Sequence, residues 1–141
     1  MEAANARTPG PGAVARSPAR STAQWFCLIG GAILLVRGAV GVALDPEFAS
    51  PGEGWHQLIH LTTGVVLLAA GRDVTLALAA ALGFGVAYAV VAVAGFVDGS
   101  DVVAVIPVER GDNVLHTVIT VTALVAGLIS LRRSSAPLGA S

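Results

Sequence analysis

The chain has no lysine, one cysteine, one tyrosine and few aromatics, and only 12 % of its residues are charged. Each shortage excludes something. A lone cysteine, Cys27, rules out an internal disulfide framework and reads as a small buried apolar residue. So little charge cannot coat the surface of a soluble domain of this length. No nucleophile stands beside a base, and no phosphate-cradling glycine loop or dinucleotide fingerprint occurs. An enzyme is therefore not expected, nor a resident cofactor, nor a nucleic-acid partner.

What the chain does have is grease. Hydrophobic residues make up 55 % of its 141 positions, and the mean hydropathy is +0.78. Apolar runs of about twenty residues read as membrane spans. Four are expected, at about 24–44, 55–70, 74–97 and 114–131. The sequence thus predicts an all-α, antiparallel bundle of four transmembrane helices between two tails, residues 1–23 and 132–141. The first tail, rich in proline and small residues, has nothing to bury in a core. Span one is expected to stay as an anchor, since its arginine-bearing lead is long and its apolar run exceeds that of a usual cleaved leader.

The arginines orient the bundle. Arg7, Arg16, Arg20, Arg72, Arg132 and Arg133 flank one side of the spans, and only Arg110 falls in a loop on the other. The excess of positive charge marks the cytoplasmic side, so both termini are expected in the cytoplasm. Trp25 and Trp55 stand at expected water boundaries. Loop three carries "VVAVIPV", residues 102–108, too short to span, and either strand-like or interfacial.

Small residues suggest how the helices pack. Span three repeats Ala77, Ala81, Gly85 and Ala89 at four-residue spacing, with a second row at Ala79, Gly83 and Ala87. Either row admits a neighbouring backbone, in this bundle or in a homo-oligomer or membrane-protein partner. Span one places Gly30, Leu34, Arg37 and Gly41 on one stripe. Arg37 should look into the bundle, because a lipid-facing arginine at the bilayer centre costs about 2.5–3.5 kcal/mol.

The polar residues inside the apolar runs carry whatever chemistry there is. "WHQLIHLTTG" (55–64) holds His56 and His60 one helical turn apart, and "DNVLHTVIT" (112–120) puts His116 at the same point of span four. Both helices enter from the same side, so His60 and His116 should lie at one depth, near Arg37. The expected object is a polar cluster in the outer half of the bundle: Arg37, His56, His60 and His116, with Asp98, Asp112 and Asn113 above. The plainest reading is structural. Buried histidines bond across helices, Arg37 pairs with Asp98 or Asp112, and Asp112 or Asn113 caps span four. A metal site on His56, His60 and His116 is a second reading, opposed by the nearby charge of Arg37. Haem ligation and a proton or solute path are others. The path lacks an inner leg, since the cytoplasmic halves of the spans hold no ionisable residue.

"HQLIHLTTG" at 56–64 and "IPVERGDNVLH" at 106–116 together resemble a family of small bacterial four-helix membrane proteins, domain of unknown function 4383. His56, His60, Leu61 and Gly64 match its first signature, and Pro107, Val108, Asp112, Asn113, Leu115 and His116 its second. The first span, "IGGAILLVRGAVGV", is also similar, so the resemblance runs over about 24–133. Gln57 stands where the family usually has asparagine, and loop one is shorter than in many members. The resemblance implies four spans in a bacterial inner membrane and brings no activity. The functional expectation is a non-enzymatic structural or partner subunit in the bilayer, with a transport, sensing, metal or haem module as the alternative.

Overall fold

A computed structural model describes residues 19–44, 46–48, 53–98, 101–102, 106–107 and 110–135. Four helices follow in order: α1 (Thr22–Leu44), α2 (Glu53–Ala70), α3 (Val74–Asp98) and α4 (Arg110–Ser134). Most of both expected tails lies outside the described residues. Residues 102–108 prove strand-like where described. β1 (Asp101–Val102) pairs antiparallel with β2 (Ile106–Pro107), in the register Asp101↔Pro107 and Val102↔Ile106.

The helix ends follow from local chemistry. Ser21 and Gln24 form a reciprocal cap at the start of α1. Gln24 N–H donates to Ser21 Oγ at 3.2 Å, and Ser21 N–H donates to Gln24 Oε1 at 3.0 Å. That box starts the helix two residues before the apolar run does. Between α2 and α3, Arg72 and Asp73 N–H donate back to Ala69 and Ala70 C=O. Asp73 then caps α3 by accepting from Leu76 N–H at 2.8 Å. The three-residue link makes α2 and α3 antiparallel.

Partner positions run in opposite directions along both hairpins. A Cβ on Gly31 would meet Gly64 O, Leu67 Cβ and Leu68 N at 3.0 Å, while one on Gly38 would run into Leu61 and Gln57. Likewise Gly85 packs under Leu124, Gly127 under Leu82 and Gly95 under Asn113. These are close backbone approaches of the kind small residues permit. The α1 seam is Gly31, Leu34, Gly38 and Gly41, all buried. That is one residue round from the expected stripe: Gly30 is half-buried, against its own helix's Phe26, and Arg37 is exposed. On α3 the row Ala77, Ala81 and Gly85 is buried and Ala89 half-buried, continued by Tyr88 and Ala92. The second row faces out, and a Cβ on Gly83 would meet nothing within 4 Å.

Across the bundle, α1 touches all three other helices, whereas α2 and α4 have no Cα pair within 8 Å among the described residues. They face each other over the wide diagonal, which leaves room between them for side chains.

The bundle is apolar outside, and inside it mixes small and polar residues with a few large apolar ones such as Leu34 and Leu67. Ile29, Ile33 and Val36 on α1, Val90 and Val93 on α3, and Val118, Val121 and Val125 on α4 are exposed. In water such a surface is unfavourable; in lipid it costs nothing. Among the described residues three helices are long and apolar enough to cross a membrane: Thr22–Leu44, Val74–Val97 and Arg110–Ser134. The 18-residue α2 is not among them, since it carries Glu53, His56, Gln57 and His60 along its length. The chain is a multi-pass membrane protein by these features.

Candidate functional site

The site lies at the end of the bundle where α2 and α4 begin, here called the histidine end. On α2, His56, His60, Thr63 and Leu67 recur at helical spacing and are all buried. On α4, Asp112, Asn113, His116, Ile119 and Ala123 do the same. α4 starts at Arg110, ahead of its apolar run, so Asp112 and Asn113 sit in its first turn as buried side chains rather than as caps outside it. Their polar groups face inward, which lets a hydrophilic segment continue an apolar helix.

Three imidazoles meet in the middle. His56, His60 and His116 are 3 %, 1 % and 2 % exposed. Their ring centroids stand 4.5 Å apart for His56–His60, 5.8 Å for His56–His116 and 5.9 Å for His60–His116. His56, next to the expected boundary residue Trp55, is as buried as the other two, because α2 begins at Glu53 and carries it one turn into the bundle. One ring nitrogen from each histidine can be chosen so that all three lie within 4.8 Å of one another. The ring of Tyr88 on α3 closes the group, 5.3 Å from His116.

Charge gathers on the loop side of the rings. Arg37 Nη2 donates to Asp112 Oδ1 at 3.0 Å, joining α1 to α4. The guanidinium side chain is 43 % exposed and that of Asp112 only 7 %, so Arg37 reaches in from the rim. It does not lie in the interior, where the sequence pattern placed it. The other oxygen, Asp112 Oδ2, lies 4.0 Å from His56 Nδ1, and Glu53 Oε2 lies 3.5 Å from the same nitrogen. Gln57 Nε2 donates to Glu53 Oε2 at 3.4 Å. Arg37, Gly41, Leu44, Glu53, Gln57 and Asp112 line a cleft of about 270 Å³ beside the histidines. Of the expected cluster, Arg37, His56, His60, Asp112, Asn113 and His116 come together; the side chain of Asp98 lies outside the described residues.

Hydrogen bonding sets this region apart. His56 and His60 Nδ1 and Nε2, His116 Nδ1, Gln57 Oε1, Asn113 Oδ1 and Thr120 Oγ1 are buried and have no hydrogen-bond partner among the described residues. Buried polar groups in folded proteins are nearly always paired, and a cluster of exceptions calls for a reason.

Sequence reasoning left out Glu53, Gln57 and Tyr88. Signals for them exist. Glu53 and Gln57 are one turn before and one residue after His56, and Tyr88 is the only tyrosine, isolated in an otherwise apolar helix.

No curated protein and no solved structure matches the chain. A family model described as Domain of unknown function (DUF4383) matches residues 51–129. This is narrower than the stretch of resemblance, for it omits the glycine-rich α1, but it takes in both histidine motifs. The match covers more than half of the chain, which therefore belongs to the DUF4383 family.

Proposed function

We propose that this protein is a non-enzymatic, four-span binding module of the bacterial inner membrane, with both termini in the cytoplasm and its binding chamber in the outer half of the bundle. Binding carries more of the geometry than a purely structural or partner subunit does. The single observation behind the choice is that three nearly inaccessible imidazoles converge with five of their six ring nitrogens making no hydrogen bond among the described residues. A clasp selected for stability would pair those nitrogens, because each unpaired buried polar group costs about 1–3 kcal/mol. Binding sites keep such groups free and accept the loss.

Two further points support the topology. α2 has 18 residues, about 27 Å at 1.5 Å per residue, close to the roughly 30 Å of hydrocarbon. Its polar side chains turn inward while Leu58, Ile59, Val65 and Val66 are exposed, so its low apolarity is that of an interior face and not of a lipid-facing one. The arginine distribution supports the orientation.

The binding reading is tested by stability. A His60→Leu, His116→Leu double variant removes unpaired polar atoms at nearly constant volume. In detergent it should unfold within about 1 kcal/mol of the wild type or above it. A loss of several kcal/mol would return the histidines to a structural role. Orientation is tested separately: a reporter fused after Ser141 should report cytoplasm, and a periplasmic signal would reverse the bundle.

A further inference from the structure

We infer that the chamber takes one divalent first-row transition-metal cation of the zinc class, held by ring nitrogens of His56, His60 and His116. This deepens the binding reading above and rests on it.

The donor set fits the ion. Imidazole nitrogens suit zinc and its neighbours, and three histidines with an open fourth position form a familiar tetrahedral arrangement. At metal–nitrogen bonds of about 2.05 Å, tetrahedral ligands stand about 3.3 Å apart. Here the three chosen nitrogens already lie within 4.8 Å of one another with no ion between them. Small rotations of the rings close that gap without moving a helix. The wide diagonal between α2 and α4 gives the rings space to do so.

The surroundings also fit. A metal-bound histidine usually turns its other ring nitrogen toward a carboxylate, which fixes its tautomer and strengthens it as a ligand. His56 Nδ1 has two such neighbours, Glu53 Oε2 at 3.5 Å and Asp112 Oδ2 at 4.0 Å. A proton on Nδ1 leaves the lone pair on Nε2 for the ion. Arg37, the charge that opposes a cation, is spent on Asp112 Oδ1 and half-exposed at the rim. The cleft lined by Arg37, Glu53, Gln57 and Asp112 brings two carboxylates to the rim beside His56. Mutual packing of the three rings leaves no flat slot for a macrocycle, so a bare ion suits the chamber better than haem.

The test uses full-length protein carrying a histidine-free tag, purified in detergent, stripped with a chelator and titrated with Co²⁺. One equivalent per chain should produce visible ligand-field absorption of tetrahedral strength, and Zn²⁺ should bleach it. His60→Ala or His116→Ala should weaken binding at least about 100-fold, and Asp112→Asn or Glu53→Gln by about 10-fold, as loss of an orienting carboxylate does. If the alanine variants do not fold, the His60→Leu, His116→Leu variant replaces them. Absence of the absorption together with failure to retain Zn²⁺ in dialysis overturns the metal, as does undiminished uptake by the folded leucine variant. No metal in the wild type, with a leucine variant as stable as the wild type, rejects the ion and leaves the chamber. A strongly destabilised leucine variant rejects the chamber on other grounds.

Discussion

The two ends of the bundle are built from similar residues and treat them differently. At the arginine end, where α1 begins and α4 finishes, buried polar groups are used. Ala23 N–H donates to Ser130 Oγ at 2.8 Å, tying α1 to α4. Gln24 Nε2 donates to Gly71 C=O at 3.3 Å, tying α1 to the α2–α3 turn. Cys27 Sγ–H points at Ala77 C=O at 3.6 Å. At the histidine end, His56, His60 and His116 leave ring nitrogens unpaired among the described residues, and Gln57, Asn113 and Thr120 each leave an oxygen so. One chain thus holds a closed end that fixes the helices and an open end whose donors and acceptors are in reserve. Polarity alone does not distinguish the two; satisfaction does.

Changes at three places sharpen that contrast. The largest effect should come from the seam that joins the ends. Gly38→Leu drives a side chain into the backbone of α2 at Leu61 and Gln57. Overpacking a backbone contact costs several kcal/mol, on the order of 3 or more, and should abolish folded protein in size-exclusion and thermal-melt assays. Next comes the closed end. Ser130→Ala orphans the fully buried Ala23 N–H and should lower unfolding stability by about 1–3 kcal/mol in the same melts. The smallest belongs to the open end, where the His60→Leu, His116→Leu change should cost almost nothing despite deleting two buried rings. If Ser130→Ala is silent while the histidine changes are severe, the contrast is inverted and the imidazoles are structural.

Much of this was legible in the sequence, for reasons that also explain what was not. The apolar runs mark all four helices, since nothing else keeps such segments out of water. The arginine asymmetry and the matched His60 and His116 single out one end. The faces of the helices are harder to read. In an almost uniformly apolar helix the lipid and the core ask for the same residues, so periodicity says little about rotation. Gly31 and not Gly30 lies on the α1–α2 seam, and nothing in "IGGAILLVRGAVGV" separates the two. Helix starts fail for a related reason. Hydropathy ends α4 where charge appears, yet Asp112 and Asn113 face inward and the helix continues to Arg110. The Ser21–Gln24 box was visible as S-x-x-Q but lay before the apolar run. Most of all, a sequence can place His60 and His116 at one depth but cannot show whether their nitrogens are bonded.

The central claim is that the open end holds its imidazoles for a cation. The most direct measurement is the thermal midpoint of the wild type and of the His60→Leu, His116→Leu variant, with and without Zn²⁺ in excess. A ligand at about 100 times its dissociation constant stabilises the folded state by about 2.7 kcal/mol. The wild-type midpoint should therefore rise by several degrees while the variant's stays put. Equal shifts in both proteins, or none in either, would contradict the account.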